Sequence, residues 1–399
     1  MLDRLTIERM EAAGEGPLLV AVSGGGDSVA LLHLLTQHFG AARLRAAVID
    51  HRFREGSAVD AQKAADIASA FRVDVRTIPL SLPDAAGRTQ ETARTFRYAA
   101  LCEAARNAGA RVIALGHTRD DQAETVFLRG SRGSGMRGLG GMRAFGPAPA
   151  WPQGRDLRLA RPLLNARRTE LRDYLRARGL AWIEDPANEN EIYARVRARR
   201  ALAEMEREAL DPMRFAALAE RLRPHLDEID TRALSLIAAA ATFDGEEIVL
   251  DRTRWRGEGA VKQRALNALI IAASGGERGP LPAQLENLCA VLDQTDFTGS
   301  TVAGAWLQPR GAHVAIRRDP GALMGRADGA SPVPPLPLKP SEESVWDGRV
   351  ALAMDEPGWS VVFDGRTLQL RRGEERRPLA AASPHWLLRE RVQHVLGTD

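Results

Sequence analysis

Residues 23–28 read Ser-Gly-Gly-Gly-Asp-Ser, between an apolar run from Leu18 to Val22 and a helix-like stretch from Val29 to Leu35. A glycine-rich bend at such a strand-to-helix junction leaves backbone N–H groups free, and the helix dipole adds positive potential, so the junction suits a phosphate. The bend lacks the closing Lys-Ser or Lys-Thr pair of a Walker loop and the three spaced glycines of a dinucleotide fingerprint. A nucleoside triphosphate is the expected ligand, and an ordinary glycine-rich turn is the competing reading.

A second constellation runs from Gly116 through His117 to Thr125, after another apolar run and at a helix start. Asp121 and Glu124 are three apart and so share a helical face, forming one acidic pocket at the mouth of the sheet. Helix capping accounts for Asp120 but not for a second acid facing the same cleft. An acidic pair beside a triphosphate suits a cationic co-substrate, such as an amine held by its ammonium group. Asp50-His51 closes a strand and reads equally as a nucleoside contact or as a strand-end turn. Arg129 to Met142 is too glycine-rich for a helix or strand interior. With Arg129, Arg132 and Arg137 interspersed it reads as a mobile basic loop able to close on a phosphate-bearing partner, or as a disordered linker.

The elements that must position these groups alternate in type. Leu18 to Val22, Leu44 to Asp50, Val73 to Leu80 and Arg111 to Leu115 read as strands, and Ser28 to Phe39, Ser57 to Phe71, Thr89 to Asn107 and Asp120 to Arg129 as helices. That alternation predicts an α/β fold with a doubly wound parallel sheet and ligands at the carboxyl ends of its strands. Past Asp185 the pattern turns helical: an arginine-heavy stretch from Arg195 to Leu210, then Met213 to Ala241 and Ala260 to Leu292. Short strand-like pieces follow, Val302 to Leu307 and His313 to Arg317, and prolines from Pro332 to Pro340 suggest a stiff linker or surface loop. The expected organisation is a nucleotide-binding domain over 1–205, a helical region over 206–298 and a small α+β C-terminal domain over 299–399.

Composition narrows the class. The 399 residues are 44% hydrophobic, enough for real cores, and no run approaches the ~20 apolar residues of a membrane span. Met1-Leu2-Asp3-Arg4 lacks the regions of a signal peptide, so a cytoplasmic, membrane-free protein is expected. Cys102 and Cys289 stand far apart with no Cys-x-x-Cys pair, which excludes a disulfide framework and a structural zinc site. The net charge is +3, and only Lys63, Lys262 and Lys339 of the 55 basic residues are lysines. Arginine's planar fork suits phosphates and base edges, though on composition alone a nucleotide bias toward arginine codons is the better explanation of the excess.

The Ser23–Ser28 loop resembles the pyrophosphate-binding loop of the ATP pyrophosphatases, the PP-loop enzymes. Together with Asp50-His51, Glu91-Thr92-Ala93-Arg94, Arg97-Tyr98, His117 to Thr125, the Arg-Gly-Ser-Gly loop, Arg161-Pro162-Leu163-Leu164 and Glu184 to Asn188, it stands in the order seen in tRNA(Ile)-lysidine synthases. The resemblance is dense over the first half and loose beyond it, through Arg195 with Arg199 and Trp346-Asp347-Gly348-Arg349. Arg52-Phe53, Ala187 and Val196 stand where that family usually has Gly-Leu, serine and asparagine.

The resemblance implies ATP as substrate, bound by Ser23, Gly24, Gly25, Gly26, Asp27, Ser28, Asp50, Gly116 and His117, with Asp27 bearing on Mg2+. It implies that Asp121 and Glu124 hold free L-lysine and that Asp27, Asp121 and Glu124 are catalytic. Arg129, Arg132, Arg137, Arg195 and Arg199 would contact an isoleucine tRNA with a CAU anticodon, and a homodimer is compatible. Arg94, Arg97 and Arg129 are candidates for phosphates or the lysine carboxylate, or for surface salt bridges. The reaction implied is ligation of lysine to C2 of the wobble cytidine through an adenylated intermediate. Two rivals stand beside it: a tRNA thiolase on the same sheet, which would need reactive thiols or an iron–sulfur cluster, and a catalytically silent RNA-binding protein. A further basic cluster, Arg366, Arg371, Arg372, Arg376 and Arg377, is a tRNA-selecting patch or a solvated face.

Overall fold

Burial is nearly continuous along Leu18–Ala21, Leu44–Asp50 and Val112–Ala114, so one sheet carries two apolar faces. In the computed structural model, which describes residues 1–52, 56–80, 90–184, 194–294, 296–325 and 332–397, the chain divides into two compact units, Met1–Leu226 and Asp227–Asp399. The first runs α1 (Arg4–Ala12), β1 (Leu18–Ala21), α2 (Gly26–Phe39), β2 (Leu44–Asp50), α3 (Ser57–Ser69), β3 (Asp74–Pro79), α4 (Gln90–Asn107), β4 (Val112–Ala114), α5 (Arg119–Ser131), α6 (Met136–Leu139), β5 (Phe145–Pro147), β6 (Arg158–Ala160), α7 (Arg168–Arg176) and α8 (Ala194–Arg207).

Its sheet has the order β3-β2-β1-β4-β6-β5. Every pairing is parallel except that of β5 with β6. Leu18, Val20, Leu44, Ala46, Val112 and Ala114 pack under α1, α2, α3 and α7 through Met10, Leu31, Leu35, Ala64 and Leu171. Leu19, Ala47, Ile113 and Leu159 face the opposite way, against Tyr98, Leu101 and Cys102 of α4. Two covered faces and parallel strands make this the expected doubly wound sheet. Strand order reverses between β1 and β4, so the chain leaves their carboxyl ends in opposite directions and opens a crevice there.

The strands and helices expected between Leu18 and Arg129 are present with ends shifted by one or two residues, apart from Thr89, which lies outside the described residues; α8 ends at Arg207, three residues short of Leu210, and the expected strand Val302 to Leu307 contains a turn at Ala303 and Gly304 between two antiparallel strands. Helix α2 starts at Gly26, inside the glycine bend, rather than at Ser28. The short strands β5 and β6 hold too few residues to show a period; α7 is amphipathic, burying Leu171 and Leu175 on one face, and is not among the expected elements.

In the second unit, α9 (Met213–Ala240), which starts in the first, leads to β7 (Ala241–Asp244) and β8 (Glu247–Asp251). Next come α10 (Gly259–Ser274), α11 (Pro282–Leu292), β9 (Ser300–Val302), β10 (Ala305–Arg310), β11 (His313–Arg318) and α12 (Pro320–Met324). The strands form an antiparallel sheet, β7-β8-β11-β10-β9, under the apolar α10, which buries Ala265, Leu266, Leu269 and Ala272. The region read as helical therefore contains a hairpin, turned at Gly245 with φ 53°. The expected helix Ala260 to Leu292 is broken at Gly275, whose φ is +66°.

Beyond it stand β12 (Leu336–Pro337), β13 (Ser344–Trp346), β14 (Val350–Leu352), β15 (Ser360–Phe363), β16 (Leu368–Arg372), β17 (Glu375–Pro378), β18 (His385–Trp386) and α13 (Leu388–Leu396). They form two small sheets around Trp346, Trp359, Val361 and Leu370. The proline segment is not only a linker: Leu336–Pro337 pairs with β15, while Ser331 lies outside the described residues. No helix among the described residues is long and apolar enough to cross a membrane.

Candidate active site

The crevice between β1 and β4 is a cavity of about 940 Å³. Ser23, Gly25, Gly26, Asp27 and Ser28 line one side and Gly116, His117 and Asp121 another. Gly25 is the N-cap of α2 and no side chain caps that helix, so its N-terminus is open to an anion. The Ser23 and Ser28 hydroxyls lie 3.2 Å apart, and Ser28 Oγ donates to the Gly25 carbonyl at 2.9 Å, which fixes the bend. Gly24 has φ +81°, and a Cβ there would lie 2.5 Å from the Ile183 side chain. Its carbonyl accepts from Ile183 N–H at 2.9 Å, so a segment far along the chain clasps the loop. A Cβ on Gly116 would lie 2.9 Å from the Asp27 carbonyl oxygen, so the β1 and β4 loops touch through backbone.

The acidic side is organised by two helix starts. Thr118 caps α5 and forms a capping box with Asp121: the Thr118 N–H and hydroxyl donate to Asp121 Oδ2 at 2.8 and 3.0 Å. Asp120, the acid that the sequence assigned to capping α5, instead accepts the Arg168 N–H at 2.8 Å and so holds the start of α7. That start delivers the Arg168 guanidinium between three carboxylates. Nε donates to Asp27 Oδ2 at 3.1 Å, Nη2 to Asp121 Oδ1 at 3.1 Å and Nη1 to Glu124 Oε1 at 3.4 Å.

Burial disfavours the charge on Arg168, but the three acids outweigh it and raise its pKa. Burial likewise pushes the Asp27 carboxyl up to about 6, against the pull of Arg168. Glu124 is 2% exposed and lies behind the cavity surface. Arg199 Nε also donates to its Oε1, at 2.9 Å, while Oε2 is buried with no hydrogen-bond partner.

The opposite side is basic. Arg97 and Arg195 line the cavity with His117. Arg161 Nε donates to His117 Nδ1 at 3.1 Å, which leaves the imidazole proton on Nε2. Burial first, then Arg161, Arg195, Arg94 and Arg97, hold His117 well below its usual range, so it is neutral. Arg94 donates to the Tyr98 hydroxyl at 3.1 Å, and the Arg94 and Arg97 guanidinium carbons lie 5.0 and 5.6 Å from the Tyr98 ring centre. Burial opposes ionisation of Tyr98, and the field of Arg94, Arg161 and Arg97 overrides it and lowers its pKa.

Of the sequence-predicted residues, the structure thus brings together the Ser23–Ser28 loop, Gly116, His117, Asp121, Arg195 and Arg199, with Glu124 just behind. Asp50 is not among the lining residues. It accepts from Ser57 Oγ at 2.7 Å and the Arg52 N–H at 3.1 Å, and its neighbour His51 lines the cavity instead. Arg129 donates to the Gly138 and Gly141 carbonyls at 3.2 and 3.0 Å and pins the glycine-rich segment, which contains α6 rather than a free loop. Arg132 and Arg137 are exposed and do not line the cavity. Asp185 to Asn188 lies outside the described residues.

In the second unit Arg372 and Arg377 pair with Glu356 and Glu375 and stack on Trp359, so two members of the expected basic cluster are compensated. Asp347 holds Arg318 and the buried Arg349, which makes Trp346 to Arg349 a structural corner. Cys102 and Cys289 are free and buried, and burial pushes their thiols up to about 12 and about 11. Arg168 and the clasp at Trp182 and Ile183 were not singled out from the sequence.

Residues 3–206 match a family model described as a PP-loop domain. The tRNA(Ile)-lysidine synthase of Hyphomonas neptunium is 34% identical over 312 residues, covering 77% of this chain and 83% of that protein. That of Ruegeria pomeroyi is 33% identical, covering 84% of this chain and 75% of its own length. That of Caulobacter vibrioides is 35% identical, covering 94% of this chain and 83% of its own. With a PP-loop domain as its first half and this similarity over most of its length, the chain belongs to the tRNA(Ile)-lysidine synthase family.

Proposed function

We propose that this chain uses ATP to ligate free lysine to C2 of the wobble cytidine of an isoleucine tRNA with a CAU anticodon, in the cytoplasm. The observation that carries the reading is the meeting of Asp27, from the phosphate loop, with Asp121 and Glu124 on one guanidinium, which sets an anion site and an ammonium site side by side.

The C2 oxygen of cytosine is a poor leaving group until it is activated. Its attack on the α-phosphorus of ATP makes it an adenylate, and pyrophosphate departs into the uncapped α2 start and the Ser23 and Ser28 hydroxyls. Mg2+ fits this end of the site: Asp27 lies at the cavity surface in the first turn of α2, and Arg168 engages its Oδ2. Asp27 would hold the ion, which supplies charge neutralisation for the departing diphosphate.

Lysine's amine, with a pKa near 10.4 in water, must lose a proton before it attacks C2 and AMP leaves. Asp121 has one oxygen tied into the capping box and the other on Arg168, so it positions the amine. Glu124 keeps Oε2 without a donor, so it takes the proton, reached where Arg199 gives up its contact. Arg97 and Arg195 line the side where a tRNA phosphate enters. The buried thiols, pushed up rather than down, disfavour the thiolase rival.

Mass analysis of isoleucine tRNA after incubation with ATP and lysine tests the reading. The expected gain is one lysine less one water, and an unchanged mass overturns it. Asp27→Ala is expected to abolish both pyrophosphate release and lysine incorporation, and incorporation persisting in that variant removes Asp27 from its role.

A further inference from the structure

Arg168 is 19% exposed at its side chain and gives each of its three donor nitrogens to a different acid. Those acids come from two separate elements, the start of α2 and the first turns of α5. Three carboxylates this close repel one another; Arg168 and Arg199 pair with them directly, and Arg172, which lines the same cavity, adds positive field at Asp27. Glu124 Oε2 is buried and has no donor. Among the described residues no three acidic, histidine or cysteine side chains converge as metal ligands, and in this cluster a guanidinium occupies the centre. Arg168 is itself anchored: Asp120 caps its N–H and lies 3.4 Å from Arg167 Nε, so the start of α7 is fastened to α5.

We propose that Arg168 is the positioning and selectivity residue of this acid cluster: it joins the phosphate-loop acid to the two acids of α5 and fills the space between them, so that space takes no divalent ion and the α5 acids are left for one ammonium group, while Mg2+ reaches Asp27 from the cavity side. The inference rests on the lysine reading above for the identity of the ammonium. It adds that amine selectivity is set by an arginine that does not itself bind the amine. Replacing Arg168 by a neutral side chain removes one positive charge and opens the centre of the three acids to a metal.

The test uses the full-length chain and Mn2+ as the probe, without nucleotide. Arg168→Gln is expected to bind Mn2+ at least about tenfold more tightly than the native chain and to raise the lysine KM by about tenfold or more, with excess Mn2+ competing against lysine. Unchanged Mn2+ affinity together with an unchanged lysine KM overturns the proposal. Arg168→Lys serves if Arg168→Gln does not fold. It keeps the charge but cannot reach three acids at once, so it is expected to raise the lysine KM with kcat within about threefold of native and to gain no Mn2+ affinity. A lysine KM equal to the native value in that variant also overturns the proposal. If the native chain incorporates no lysine, the functional reading fails while the Mn2+ comparison still decides the role of Arg168.

Discussion

His117 shows how burial sets chemistry at a single residue. Its folded pKa lies well below 6.5, through burial and then the surrounding arginines, so the unfolded chain takes up a proton first as pH falls. The stability that His117 contributes is therefore complete above pH ~6.5 and is lost as the solution becomes more acidic. Thermal melting is expected to fall between about pH 7 and pH 5, and His117→Gln, which keeps an acceptor for Arg161, is expected to flatten that slope. An equal slope in the variant assigns the acid sensitivity elsewhere. The phosphate loop was legible in sequence because its residue types are rare in that order between a strand and a helix. Arg168 was not, since nothing local marks one arginine among dozens, and its role depends on Asp120, 48 residues earlier, and Asp27, 141 residues earlier.

At the scale of elements, the site depends on where helices begin and where loops touch. Gly116 lies against the backbone of Asp27 and Ser28, neither of which can rotate aside. Gly116→Ala is expected to cost about 1–3 kcal/mol in denaturant unfolding and to weaken ATP use more than lysine binding. Asp120→Ala removes the acceptor of the Arg168 N–H at the start of α7 and is expected to cost about 1 kcal/mol and to raise the lysine KM by releasing Arg168. A native lysine KM in that variant separates α7 from the acid cluster. Strands of four to seven residues, such as β1 and β2, were readable from their apolar runs. The three-residue β5 and β6 hold too few residues to show a period. The hairpin of β7 and β8 is marked locally by Asp244-Gly245 ahead of the strand-like Ile248-Val249-Leu250, but the flanking helices dominate the pattern.

For the molecule as a whole, the cores are divided between the units: two cover the faces of the parallel sheet, and others fill the second unit. Every residue lining the cavity belongs to Met1–Leu226. Calorimetry is expected to resolve two transitions, with ATP and Mg2+ raising only the one that belongs to the first unit; a rise in both, or in neither, contradicts that placement. The most secluded sulfur atoms have a practical consequence. With both native thiols sealed in apolar packing and far from ionising at neutral pH, a cysteine introduced on the surface would be the one site open to a maleimide. Fluorescent or spin probes could then be attached without first stripping the chain of its own sulfhydryls, so distance changes on tRNA docking could be followed in the otherwise native sequence.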